Sequence, residues 1–220
     1  NVSKIHMLSD GSPLVGGLFT QYGGSPASYL AKLSADGILA SPWPATGSGP
    51  NNEVRDIVPA TGGKFLLAGA FTTYNGVNQR GIARINADGT HDTTFVRTVT
   101  GTARIVRELS DGSILGGFDS LGLRKFSTTG TETAVFQPFG SVTTIYDVIV
   151  QADGKILVAA QRTSGTRAGT VYRLLPDLTV DPDFNLASAD SSNAYLYCLA
   201  QDASGRIYMG GSFTTVNGVA

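Results

Sequence analysis

Residues 65–76 read FLLAGAFTTYNG, and residues 207–218 read IYMGGSFTTVNG. The two lines lie 142 positions apart and keep Phe-Thr-Thr-x-Asn-Gly in register. A looser copy, PLVGGLFTQYGG, occupies residues 13–24. Self-similarity at this scale marks a repeat architecture.

Each copy follows a tight-turn glycine, and five such glycines recur, Gly11, Gly63, Gly112, Gly154 and Gly205, spaced by 52, 49, 42 and 51 residues. The turns read SDG, TGG, SDG, ADG and ASG, and glycine supplies the positive φ that such turns need. Six positions before the glycine stand Ile5, Ile57, Val106, Val148 and Leu199. Nine before stand Val2, Val54, Ala103, Ile145 and Leu196. After the turn, an apolar run ends in two small residues, such as Gly16 and Gly17 or Ala68 and Gly69. Small residues inside a strand let another backbone come close.

A second anchor follows in four units, at Asp36, Asp88, Thr129 and Asp177. Four positions earlier is always a base: Lys32, Arg84, Lys125 and Arg173. Seven later is always an aromatic: Trp43, Phe95, Phe136 and Phe184. Such aromatics fit packing between neighbouring units. Each unit is thus two hairpins, with no period-3.6 stripe to suggest helix. The spacing predicts an all-β chain, a β-propeller built from four-stranded blades, with about four and a half repeats. The repeats run approximately over 1–52, 53–101, 102–143, 144–193 and an incomplete 194–220, within one domain over 1–220. The chain reads as a segment of a longer array.

Composition agrees with many short strands: 28 glycines, 41% apolar and only 15% charged residues. A net charge of −1 gives no bulk attraction to nucleic acid, and no apolar run suits membrane insertion. The one cysteine, Cys198, reads as a small buried hydrophobe.

The joint between the two hairpins varies most. It spans 13 positions from Gly17 to Leu30 and from Gly69 to Ile82, but 6 from Gly117 to Leu123 and 11 from Ala160 to Val171. In a propeller these joints share one face, so variation there marks a recognition surface. Tyr22, Tyr29, Tyr74, Asn75 and Asn78 are its candidate binding residues for a protein or glycan. The competing reading makes FTTYNG the repeat's own loop. Lys32, Arg84, Lys125 and Arg173 could form a ring of cations for an anion, or cover apolar surface and pair with acids.

Catalytic and metal signatures are missing. His6 and His91 occupy different repeat positions, and with one cysteine there is no zinc spacing. No cofactor is expected. The acidic stretches NADGTHD and DLTVDPDF suggest calcium weakly, since aspartate in turns serves the backbone first. No nucleophile elbow appears. Glu53, Asp56, Glu108, Asp119, Glu132 and Asp147 share no evident local pattern.

The assembled pattern, DGKILV followed by GGSFTTVNG and IARINADGTHDTTF, resembles the delta-60 tandem repeat, a β-propeller-like family. The resemblance is strong in units one, two and five and weak in three and four. It implies a secreted, cell-surface or virion-surface module, with no catalytic residue set to carry over. Three functions follow as expectations. The first is a non-catalytic module for adhesion or recognition, with assembly proteins or surface glycans as partners. The second is a structural spacer or decoration in a phage tail or surface fibre. The third is a polysaccharide-acting propeller hydrolase or lyase, needing acids from two blades in one pocket.

Overall fold

The computed structural model describes residues 1–41, 43–97, 99–162, 168–185, 187–189 and 194–219. The first sheet pairs β1 (Val2–Met7) with β2 (Pro13–Gly17) and, after a small hairpin of β3 (Gln21–Tyr22) and β4 (Ser25–Pro26), β5 (Leu30–Lys32). The second repeats this with β6 (Val54–Ala60), β7 (Lys64–Gly69), the hairpin β8 (Thr73–Tyr74) and β9 (Val77–Asn78), and β10 (Ile82–Ile85). The third has four strands in order: β11 (Ala103–Glu108), β12 (Ile114–Phe118), β13 (Gly122–Phe126) and β14 (Glu132–Phe136). The fourth also has four: β15 (Thr143–Val150), β16 (Ile156–Arg162), β17 (Ala168–Leu174) and β18 (Ala187–Ala189). The fifth pairs β19 (Tyr195–Gln201) with β20 (Ile207–Ser212). Helix is limited to two 3-10 turns of three residues among the described residues.

The expectation of four strands in every unit needs correction. In units one and two the fourth strand shrinks to single bridges, Leu33 to Leu39 and Ile85 to His91. In unit two the bend after the bridge is held by Asp92. Its carboxylate accepts the Thr94 amide at 3.0 Å and the Thr94 hydroxyl at 2.6 Å, local bonds that compete with ladder pairing. Unit three has Thr133 at the same position, and its fourth strand runs on.

The first strands form the hub. β1, β6, β11, β15 and β19 pack each on the next, while the third strands do not pack on one another to a comparable extent. The sheets therefore fan out from their first strands. Each first strand carries a bulge, with the extra residue at Ser3, Arg55, Arg104, Tyr146 and Tyr197. This explains an oddity of the apolar spacing. Two strand residues three positions apart face opposite sides unless an extra residue intervenes. With the bulge, Val54 and Ile57 both enter the core shared with unit one, and Ala103 and Val106 both enter the core shared with unit two. The second small residue lies opposite the bulge. A Cβ on Gly69 would stand 2.1 Å from the Glu53 carbonyl oxygen, and one on Gly211 1.9 Å from that of Tyr195.

The cores sit between sheets. The repeating aromatics fill them as expected: Phe95 between units two and three, Phe136 between three and four, with Trp43 and Phe184 partly buried at the first and last junctions. Asp56 and Asp147 lock two junctions. Asp56 is buried and accepts the Val106 amide of the next unit at 3.2 Å, and Asp147 accepts the Leu199 amide at 2.8 Å. These two acids do share a pattern, contrary to the sequence reading: each stands seven residues before its turn glycine.

Candidate functional site

The expected site residues on the joint loops are largely scaffold. Tyr74 is fully buried, and its hydroxyl donates to the Gly89 carbonyl at 2.6 Å. This corrects the expectation that it faces a ligand. Burial, with the Asp88 charge, pushes its pKa far above that of a free tyrosine. Tyr22 makes the equivalent bond to the Gly37 carbonyl at 2.9 Å. Both tyrosines thus tie the joint hairpin to the second turn of their own unit. Asn75 accepts the Gly49 amide at 2.7 Å and donates to the Thr46 carbonyl at 3.2 Å, holding the linker from unit one. Tyr29 is half-buried against the core between units one and two. Asn78 alone of the five is exposed.

The four periodic bases sit on third strands, away from the hub, each with its own partners. Arg84 pairs with Asp92 at 2.6 Å and lies 5.1 Å over the Phe95 ring. Arg173 repeats this with Asp181 at 2.7 Å and Phe184 at 4.9 Å. Lys125 donates to the Pro176 carbonyl of the next unit at 3.1 Å. Lys32 adds its field to the Ser12 hydrogen bonds that lower the Asp10 carboxyl. With these partners the geometry lends no support to an anion ring. The candidate calcium stretches are likewise engaged. Asp88 and Asp177 each accept the amide and hydroxyl of the threonine two residues on.

The most organised exposed chemistry lies on the bulge residues, outside the expected positions. Ser3 donates to Glu53 at 3.2 Å. Arg55 bridges Glu53 at 2.8 Å and Asp119 at 3.0 Å. Asp119 also takes Arg104. The Arg104 guanidinium lies 4.6 Å over the Tyr146 ring, and Tyr146 meets Tyr197 edge-on at 5.9 Å. Tyr197 stacks on Tyr195 at 5.6 Å and 18°. The row crosses five successive sheets. It lies at the hub end of the joint face, because the bulges open the first strands, Glu53 immediately precedes β6, and Asp119 belongs to the joint of unit three.

Side chains of the charged members stay 23–34% exposed, and Tyr197 is 49% exposed. Burial alone would ease a proton off Arg55. Its hydrogen bonds to Glu53 and Asp119 outweigh that and raise its pKa above the ordinary arginine value. Two guanidiniums and two carboxylates cancel in formal charge. The ledge therefore offers neutral, fixed donors and acceptors running into an aromatic surface. A signal was present in the sequence: all five bulge residues stand eight before the turn glycine. Cys198, one position on, is exposed rather than buried. Its place in the unit is one that faces the following sheet, and none of the described residues covers it.

Comparisons with known proteins agree with this architecture. A family model, the domain of unknown function DUF5122 β-propeller, matches residues 8–39, 63–95 and 151–184. The third match falls in unit four, where the loop motif is replaced, so the shared frame runs from the first turn through the second, reaching the aromatic in units two and four. No curated protein sequence matches the chain. Among solved structures, it is similar to the extracellular domain of a one-component system of B. thetaiotaomicron, at 14% identity and a TM-score of 0.62. That match covers 97% of this chain and 26% of the other. It is similar to the WD40 β-propeller domain of Doa1 at 16% identity and 0.60, covering 93% and 59%. It is similar to YCF48 from Cyanidioschyzon merolae at 13% and 0.58, covering 98% and 68%. The chain thus spans less than two thirds of the length of the first two. The fan of sheets, the repeat frame and these matches place the chain among all-β repeat proteins of the β-propeller type.

Proposed function

We propose that the chain is a non-catalytic recognition module of a secreted, cell-surface or virion-surface protein, binding through the hub end of its joint face. The observation that carries this is the ledge from Ser3 to Tyr195, ordered side chain on side chain across five sheets yet partly open to solvent. The extracellular domain among the similar structures supports the surface setting, as does the resemblance to delta-60 repeats. Rigid polar and aromatic side chains on a β scaffold suit recognition, because little freedom is lost on binding. The test is a crosslinking pull-down from the native surface with the wild type and Arg104→Ala. A partner captured by the wild type and lost with the variant is expected. Equal capture by both would remove the ledge from the reading.

A second reading is favoured by one observation. Glu53 and Asp119 come from successive units and meet on Arg55, as a pair of glycosidase acids would have to meet. The geometry opposes it, since Arg55 stands between the two carboxylates and Asp119 also takes Arg104, so neither oxygen pair is turned freely toward a glycosidic bond. Release of reducing ends from a polysaccharide, abolished by Glu53→Gln and by Asp119→Asn, would establish the enzymatic reading.

A further inference from the structure

We propose that the ledge takes a neutral oligosaccharide, with a sugar ring on Tyr197 and its hydroxyls on the row of Arg55, Asp119 and Arg104. The inference rests on the recognition reading and adds the ligand class. Charge comes first. Arg55 and Arg104 are balanced by Glu53 and Asp119, so the row has no net charge to attract a polyanion or a polycation. Donor pattern comes next. A sugar hydroxyl both donates and accepts, and neighbouring hydroxyls need donors and acceptors side by side. An alternating row of guanidinium and carboxylate supplies that. Arg104 spends its Nε on Asp119, and its terminal nitrogens, lying over the Tyr146 ring, make no hydrogen bond among the described residues.

Tyr197 is 49% exposed yet held by Tyr195 and Tyr146, so its ring is fixed before a ligand arrives. An aromatic face of this kind suits the C–H face of a pyranose, while a polar rim orients it. The ledge runs along successive sheets, which favours a chain of sugars over a single one.

The full chain is presented to an array of neutral, carboxylated and sulfated oligosaccharides, and those that bind are titrated by calorimetry. Wild type is compared with Tyr197→Ala, Tyr197→Phe, Arg104→Gln and, as an off-ledge control, Asn78→Ala. Melting curves establish that each variant folds. The expected result is binding of a neutral oligosaccharide, weakened about tenfold or more by Tyr197→Ala and Arg104→Gln, and retained by Tyr197→Phe and Asn78→Ala. Binding of charged glycans alone overturns the ligand class while the recognition reading stands, and neutral binding that survives both ledge variants overturns the ledge as the site. Absence of all glycan binding overturns the ligand class too, and the pull-down then decides the recognition reading separately.

Discussion

Tyr29 and Gly81 hold the same position of units one and two, and both take a left-handed backbone, with φ of +65° and +73°. Their hydrogen bonds also match. Tyr29 receives the Gly17 amide at 3.0 Å and donates to the Phe19 carbonyl at 2.8 Å, while Gly81 receives Gly69 at 2.8 Å and donates to Phe71 at 2.9 Å. One bend thus serves both units, but only unit one has room for a side chain there. A Cβ on Gly81 would stand 2.0 Å from the Gly101 carbonyl oxygen. Left-handed strain alone costs about 1 kcal/mol. With the backbone clash added, Gly81→Ala is expected to destabilise the fold by about 2–4 kcal/mol. The readout is a lower urea midpoint at unchanged slope. Tyr29→Gly relieves strain but loses packing, and should fall within about 1 kcal/mol of wild type. An unmoved midpoint for Gly81→Ala would refute the shared bend.

At the scale of elements, Asp92 and Asp181 end or interrupt the fourth strand and gather two cations each. Lys64 and Arg84 reach Asp92 at 2.7 and 2.6 Å, and Lys155 and Arg173 reach Asp181 at 2.9 and 2.7 Å. Burial works against ionisation of Asp92. The hydrogen bonds from Lys64, Thr94 and Arg84 prevail and hold its carboxyl well below the usual carboxylate range. The Asp181 carboxyl is lowered to about 2, first by Lys155, then by the Asp183 amide, with burial opposing and Arg173 assisting. A carboxyl with a depressed folded pKa stabilises fully above its unfolded value and loses that contribution as pH falls through the folded value. The melting temperature should therefore hold down to about pH 4 and drop between there and about pH 2. Asp92→Asn combined with Asp181→Asn should be less stable at neutral pH and lose less on acidification. An equally steep acid limb in that double variant would sink the assignment. These acids stand at repeat positions beside the periodic bases Arg84 and Arg173, which the sequence already offered for pairing with acids, but the second cation was not legible, since Lys64 lies 28 residues from Asp92. The bulges were legible too, in the odd spacing of three between the apolar positions. That spacing already located the strand and its inner face. What it could not reveal is that Ser3, Arg55, Arg104, Tyr146 and Tyr197 touch in turn, because each contact joins residues from different units. The tyrosines of the joints misled for the converse reason: whether Tyr74 is open or buried depends on the second turn, fifteen residues on.

At the scale of the molecule, every junction between sheets follows one rule. The residues six and nine before a turn glycine face the preceding sheet, and the residue three after it faces the following one. Leu14, Leu66, Leu115 and Leu157 hold this last position and are at most 1% exposed. The rule leaves two uncovered faces. On the first sheet Val2 and Ile5 are 58% and 56% exposed, while their counterparts in the other units are at most 8%. On the fifth, Tyr208 holds the leucine position and is 51% exposed. Apolar surface of this extent seeks a partner. The two faces are of the complementary kinds that meet at each internal junction. Two copies can therefore meet head to tail, a contact that does not saturate itself and leads to rings or open chains. The 220-residue chain on its own is expected to associate with rising concentration, observed as an increase in mass by light scattering. Ile5→Lys places a charge at the centre of the first face and touches no internal junction. It should lower the association while leaving the melting temperature of the dilute protein within about 2 °C of wild type, since surface changes seldom move stability by more than about 0.5 kcal/mol. Association undiminished by Ile5→Lys would show that the copies meet through some other surface.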